Sequence, residues 1–500
     1  MKLNYKRTIL VGFAFFLISA FWQAYDAIVP LILTNHFGLS QTWSGAVMSA
    51  DNVLAVFLLP LFGALSDKVN TRHGRRTPFI VIGTVLAVVM FILLTLVDNI
   101  QLSAVMATDI SQQYEVADAL RDGAYKMIGQ ARTAGDEQML LAAEAQLAEA
   151  DAMFADIANQ TFEITAGNIL PFLGFVGLLL LVLISMATFR SPAVALMPDV
   201  TVKPLRSKGN AIINLMGTAG GIIVLVLGMI FSTSQIYMQY SWYVVAVCTV
   251  MLAGLIIFIS FVKEKLWAFE MQAESEKLED NSKEDESSCS EVRKLTKGEL
   301  KSLILILASV ALWYIGYNSI TSKYSVYATR ELGFDYNLTL IIAQAAAVIA
   351  YIPVGIVSSK FGRRKTILAG IVMLASAFFI GNFITPLVPE ALMYPVFILA
   401  GIGWATINVN SFPMVVELAK GGDVGKYTGY YYTASMAAQI VAPNLSGIMY
   451  DAFGMRHVFF IFGTVFVALS FVTMFFVKHG DAAHAEGKKS ALELLDVGDD

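Results

Sequence analysis

The sequence predicts an all-α membrane protein whose twelve transmembrane helices form two pseudo-symmetric six-helix bundles. Three observations carry that prediction. First, 57% of the residues are hydrophobic and only 15% are charged, whereas a soluble domain is about a quarter charged; soluble enzymes, coiled coils and disordered scaffolds are excluded. Second, twelve stretches reach the roughly 20 apolar residues that a bilayer crossing requires. Third, motifs of the first half recur in the second. A net charge of −5 without strong basic clusters argues against nucleic acid as a partner and leaves the lipid bilayer. Cys248 and Cys289 form neither a disulfide framework nor a CxxC zinc motif.

The candidate spans run over 8–34, 42–66, 77–97, 166–189, 209–231, 241–262, 302–320, 338–358, 366–385, 390–416, 427–449 and 457–477. The first is too long for a signal-peptide core and carries no cleavage signature, so it is read as retained. With the N-terminus inside, inward segments hold 28 of the 34 Lys and Arg residues, which predicts that both termini are cytoplasmic. The expected domains are a first bundle over 1–262, a cytoplasmic linker over 263–300, a second bundle over 301–478 and a cytoplasmic tail over 479–500. Residues 98–165 interrupt the first bundle on the outer side with twelve acids against three bases. Their Ala-rich, Gly-poor run predicts a helical hairpin broken near Gly135–Asp136, a capping appendage or a docking surface for an extracytoplasmic partner. The linker, rich in Glu, Lys and Ser, reads as solvated.

Self-similarity sharpens the architecture. Gly63-Ala-Leu-Ser-Asp-Lys recurs as Gly355-Ile-Val-Ser-Ser-Lys at an offset of 292, and Gly74-Arg75-Arg76 recurs as Gly362-Arg363-Arg364 at 288. Tyr25-Asp26 is echoed by Tyr317-Asn318, and Asn52 by Gln344, both at 292. Beyond the outer insert the offset falls to 218, pairing Asp199 with Glu417 and Arg190 with Asn408. Gly63 and Gly355 permit close helix approach, and Gly217, Gly220 and Gly221 suggest the same on the fifth span. Arg75, Arg76, Arg363 and Arg364 fit a gating cluster with Asp67, Asp199, Arg206 and Glu417. Asp67 is expected to accept hydrogen bonds from a neighbouring helix N-terminus, so that these loops latch the bundles together.

The loop GALSDKVNTRHGRRTPFI (63–80) resembles the signature loop of the major facilitator superfamily, and its second-half copy resembles the degenerate version. More narrowly, DNVLAVFLLPLFGALSD and RSPAVALMPDV followed by RSKGNAIINLMG are similar to the glycoside–cation symporter and sucrose-transporter-like branch. The resemblance covers the twelve helices and leaves out the insert. It implies the major facilitator fold and secondary transport; its proton-coupled sugar transporters carry an acid on the first helix, as Asp26 stands here. Two departures limit it. Val194 stands where sucrose transporters have an Arg, and only Asp51 stands near the paired acids of melibiose-type sodium symporters.

An ionisable side chain inside a span is costly and marks a candidate functional site. Asp26 lies ten residues before His36 and Asp51 ten after Gln41, so both sit about 15 Å below the outer surface. Two buried like charges favour holding a proton between them, which makes Asp26 and Asp51 the coupling candidates; each could instead serve only as a helix hydrogen-bond partner. Trp22, Gln23, Tyr25, Asn52, Trp313, Tyr317, Asn318, Gln344, Trp404, Asn408 and Asn410 supply the aromatic faces and amides that suit a sugar. About half of them are expected to line a cavity, the rest to pack. Arg190 fits a buried counterion, a hydroxyl donor or a topological anchor. Pro192, Pro198, Pro413 and Pro443 are expected as kinks. No histidine is assigned to metal.

The expected function is proton-coupled symport of a sugar, oligosaccharide or glycoside by alternating access, in a monomer of the plasma or inner membrane. The proton is the coupling ion, sodium the second candidate, and no cofactor is called for. The competing readings are an exporter of drugs or metabolites with the same fold, and a transporter-like sensor. An ATP-driven pump would need a phosphate loop, and no GxxxxGK[ST] occurs.

Overall fold

In a computed structural model of the chain, residues 3–202, 205–282, 296–418 and 424–480 are described. The first half holds α1 (Tyr5–Leu31), α2 (Gln41–Lys68), α3 (Thr77–Met106), α4 (Ile110–Ala134), α5 (Glu137–Gly167), α6 (Leu170–Val200), α7 (Arg206–Ile230), α8 (Ser241–Phe261) and α9 (Glu264–Ser282). The second holds α10 (Lys297–Thr321), the short α11 (Tyr324–Tyr327), α12 (Tyr336–Phe361), α13 (Arg363–Gly381), α14 (Met393–Val416), α15 (Val424–Phe453) and α16 (Met455–Phe475). Twelve of these cross the molecule: α1, α2, α3, α6, α7 and α8, then α10 and α12 to α16. Each except α15 contains a window apolar enough to span a membrane. α15 is more polar because part of it faces the interior cavity rather than lipid.

The helix partners repeat. In the first half α1 packs on α7 and α8, and α6 packs on α2 and α3; in the second half α10 packs on α15 and α16, and α14 on α12 and α13. The halves meet through α2 on α15 and α7 on α12, one pair being the pseudo-symmetry mate of the other. Small residues set these approaches. A Cβ on Gly217 would lie 2.8 Å from Ser19 Oγ, and one on Gly220 2.6 Å from the Phe16 carbonyl, so α7 lies close against α1. Gly63 likewise brings α2 against Ser191 of α6, and Gly355 is buried on α12. Pro192 and Pro198 lie inside α6, Pro413 inside α14 and Pro443 inside α15.

The insert forms the expected hairpin: α4 ends at Gly135, whose φ of +67° closes the turn, and Asp136 accepts from Met139 N at 3.0 Å to start α5. The side of the molecule that carries it is called the insert face; the opposite side, where α1 and α10 begin, is the terminal face.

The expected solvated linker needs correction. Its first part, α9, is a helix docked on the first half, and the cause is Glu264. This buried carboxylate accepts from the backbone N–H groups of Arg75, Arg76 and Thr77 at 2.7, 2.8 and 2.8 Å, and from Thr77 Oγ1 at 2.7 Å. It satisfies the orphan donors at the start of α3. Arg7 adds an ion pair to Glu270 and lies over the Trp267 ring. Glu264→Ala leaves three backbone donors uncapped and is expected to cost about 2–3 kcal/mol, read as a lowered thermal unfolding midpoint, with Glu264→Gln intermediate. Residues 283–295 of the expected linker and the tail beyond 480 lie outside the described residues.

Candidate functional site

Between the bundles lies a cavity of about 1170 Å³. α1 turns Phe15, Ser19, Trp22, Gln23 and Asp26 towards it, positions that recur every three to four residues and so share one helical face. Leu17, Phe21, Tyr25 and Ile28 lie off that face and are fully buried in the core. The second half answers with Tyr314, Tyr317 and Asn318 of α10, Gln344 and Tyr351 of α12, Trp404 and Asn408 of α14, and Tyr431 and Tyr432 of α15. Asp26 lies on the cavity wall with its side chain exposed to it, and it is the one Asp, Glu, Lys or Arg among the described lining residues.

Two features give the walls chemical character. Tyr317 and Trp404 stack with ring centroids 3.7 Å apart and planes 6° from parallel, and Tyr314 meets Trp404 edge-on. They form a broad π-face on the second-half wall. Across from it, Gln344 Nε2 donates to Gln23 Oε1 at 2.6 Å, joining the two halves beside Gly221. Asn318 Nδ2 is held by the Tyr314 carbonyl at 2.8 Å, and Asn408 hydrogen-bonds Tyr351.

The other candidates stand elsewhere. Tyr25 and Trp313 are fully buried in the hydrophobic core, because each lies on the inward face of a helix whose neighbouring face lines the cavity. Asn410 is buried too, donating to the Thr406 carbonyl and accepting from Ser358. Asn52 donates to Asp51 Oδ1 at 2.8 Å, and neither side chain lines the cavity. Arg190 lies behind Trp22 with its guanidinium 5.4 Å from the ring centroid. Asp26, Asp51 and Arg190 act on one another electrostatically, two carboxyl groups beside one guanidinium.

The loop cluster corrects one expectation. Asp67 does not take a helix N-terminus. It is more than half exposed and pairs with Arg76 at 2.5 Å, while Glu264 fills the N-terminal position on α3. Arg76 also reaches Asp199 at 2.8 Å and Ser66, and Arg75 reaches Asp199 at 3.4 Å. Arg206 closes the end of α6 through the Pro198 and Thr201 carbonyls at 3.1 and 3.2 Å. In the second half Arg363 pairs with Glu417 at 3.2 Å, and Arg364 donates to the Phe475 carbonyl. Asp199 and Glu417 are therefore equivalent, as the offset of 218 implies. Among the described residues these contacts tie helices within one bundle, and in this conformation the contacts between bundles described next lie on the opposite face.

There Asp451, at the end of α15, accepts from the N–H groups of Gln41 and Thr42 at 2.8 and 2.7 Å. A carboxylate of one half thus caps α2 of the other, where the helix dipole favours it. Lys323 Nζ donates to the Gln41 carbonyl at 3.2 Å, Arg330 to the Thr34 carbonyl at 3.3 Å, and Asn337 and Tyr336 meet Thr233 at 3.0 and 2.7 Å. Cavity-lining Ala27, Ile320 and Ser325 near this face are buried, whereas lining Asn214 and Tyr432 towards the terminal face are exposed. Among the described residues, the cavity is open towards the terminal face.

Sequence reasoning missed several of these residues. Asn210 and Asn214 line the cavity one helical turn apart on α7, and that spacing was legible. Asp451, Lys323 and Glu264 sit at helix ends, where an acid or base is ordinary until its partner is known. His36 and Asp98 were also passed over. They are wholly buried with Nδ1 2.7 Å from the carboxylate, a pair that joins α3 to the π-helical turn Ile32–His36 after α1.

The family profile described as Major Facilitator Superfamily matches residues 161–350 and 307–496, and one described as MFS/sugar transport protein matches 10–112. Among curated proteins, the chain is similar to the MFS-type transporter ppzB of Metarhizium rileyi (strain RCEF 4871), at 30% identity over 114 residues, 23% of each chain. It is also similar to the putative glycoside/cation symporter YagG of Escherichia coli (strain K12), at 36% identity over 64 residues, 13% of this chain and 14% of the relative. These alignments span about a quarter or less of the relatives' length. Among solved structures, the inward open conformation of the xylose transporter XylE from E. coli superposes with a TM-score of 0.59 at 14% identity, covering 99% of each chain. That likeness concerns the fold.

Proposed function

The chain belongs to the major facilitator superfamily, and we propose that it is a proton-coupled symporter carrying a sugar, oligosaccharide or glycoside inward by alternating access. The observation that carries this reading is the composition of one cavity: Asp26, the one carboxylate among its described lining residues, shares it with the Tyr317–Trp404 stack and the Gln23–Gln344 amide pair. Aromatic faces suit the C–H surfaces of a pyranose and amides fork onto its hydroxyls, the pattern of a mostly apolar pocket with a few placed polar groups. The resemblances to YagG and to a sugar-transport profile point the same way.

With Arg190 as shared counterion, Asp26 and Asp51 can hold or release a proton without leaving an unpaired positive charge. Protonated Asp26 would donate to a bound hydroxyl, so proton and substrate would favour each other's binding. The positive-inside rule places the terminal face in the cytoplasm, which makes the present conformation inward-open. Rocking of the bundles about the midplane site would expose it alternately, in a single copy of the chain and with no cofactor. The many aromatic residues of the cavity favour one second reading, export of an amphiphilic metabolite.

Purified protein in proteoliposomes, given a panel of labelled sugars under imposed pH or sodium gradients, tests the reading. Accumulation of a sugar driven by an inward proton gradient is expected. Indifference to both gradients would remove the coupling, and tighter binding of an apolar dye than of any sugar would select export. Trp404→Ala, which dismantles the aromatic shelf, is expected to weaken sugar binding about tenfold, or about 1.4 kcal/mol, measured by calorimetric titration.

A further inference from the structure

The α4–α5 hairpin is absent from the repeat, since the second half has no counterpart, and nothing in the proposed transport cycle uses it. Its root is firm in the first half. Gln101 donates to the His36 carbonyl at 3.0 Å and to Thr165 Oγ1 at 2.9 Å, and Thr165 donates to the Phe37 carbonyl at 2.9 Å. Gly38, at φ +66°, lets that loop lie directly on the α5 backbone at Ala158 and Phe162.

A hairpin that merely filled a loop would have no reason to touch the other bundle. This one touches it at three separated places. The Arg121 guanidinium, nearly buried and paired with Asp118, donates to the Arg330 carbonyl, and Arg330 in turn donates to Thr34 of the first half. The Arg456 guanidinium lies 4.7 Å from the Tyr125 ring centroid and 3.8 Å from Asp151. Gly129 near the tip lies beside Leu387, a Cβ there falling 3.7 Å from the leucine methyl.

We infer that the hairpin is an intramolecular clasp, rooted in the first bundle and gripping the second, which holds the insert face shut. Parting of the bundles on that face carries the hairpin away with α3 and breaks the contacts at Arg330, Leu387 and Arg456. Those contacts therefore stabilise one conformation only and bias the equilibrium towards it. The inference depends on the two faces opening alternately, and not on the substrate or the ion.

The test is a distance measurement on the full-length protein. Spin labels at Trp43→Cys and Phe453→Cys, exposed positions on opposite halves at the insert face, are introduced with Cys248 and Cys289 replaced by serine. Arg121→Ala with Arg456→Ala is expected to enlarge the long-distance population about tenfold. Unchanged distances in a folded double variant would overturn the clasp. A second variant, Gly129→Cys with Leu387→Cys, staples the hairpin to the second half. Its oxidised form should lose the long-distance population and regain it on reduction, and a stapled protein that still opens would overturn the inference. Neither readout needs a substrate, so failure of the sugar or proton reading leaves this test intact.

Discussion

Gly447→Val is expected to trap the protein with its insert face open and to abolish turnover. α15 crosses α2 at this residue, and even a single Cβ would sit 2.9 Å from Thr42 Cα and closer still to the Gln41 carbonyl. These are backbone atoms, which cannot rotate aside. Gly45 makes the reciprocal approach to the Pro443 carbonyl. Overpacking of this kind costs about 1–3 kcal/mol, levied on the closed state alone, and Asp451 would lose its place on the α2 N-terminus with it. Gly447→Ala should shift the open-to-closed ratio about tenfold and the valine variant more. Accessibility of a cysteine at Ser325 to a membrane-impermeant maleimide reads the shift: Ser325 lines the cavity yet is buried in the closed state. Slow labelling in Gly447→Val would show that this crossing does not form the seal.

Asp26→Asn is expected to separate binding from driving force. The amide has nearly the shape of the carboxylic acid and keeps a hydrogen-bond donor, but it carries no exchangeable charge. Gradient-driven accumulation should vanish while exchange of labelled for unlabelled sugar across the membrane persists. The repeat supplies the natural comparison, since the pseudo-symmetric position already holds Asn318 on the same cavity. Asp51→Asn should be milder, because Asp51 is bonded to Asn52 and lies off the cavity wall. Accumulation that survives in Asp26→Asn would remove Asp26 from the coupling role.

Much of the site was legible because helical geometry is local. Trp22, Gln23 and Asp26 share a face by spacing alone, and the offset of 292 carries Asp26 to Asn318, so the meeting of these two across one cavity follows from the repeat, whereas Tyr317 lines the cavity although its mate Tyr25 does not. Tyr25 and Trp313 show the limit. Each lies about one residue's rotation from a lining position, and whether that edge faces cavity or core depends on how the helix is turned against its neighbours. The loop arginines show another limit. Their acidic partners Asp199 and Glu417 emerged from the repeat, but which face of the molecule locks the bundles depends on conformation. Here the locking contacts are made by Asp451, Lys323 and Arg330, which no motif of the sequence singles out.

By itself the sequence determined the number of spans, the two-fold internal likeness, the helical hairpin and the acid on α1. These follow from apolar run length, periodicity and residue identity, which act within one helix or between copies of one motif. Only the tertiary structure decided that Glu264 brings α9 onto the first bundle, that Gln23 meets Gln344 and that Asp451 caps α2. It alone revealed that the hairpin grips the second half. Each of these is a contact between residues more than a hundred positions apart, made at a helix end or a crossing point. Such contacts are selected by how whole helices pack, and no local pattern records that choice.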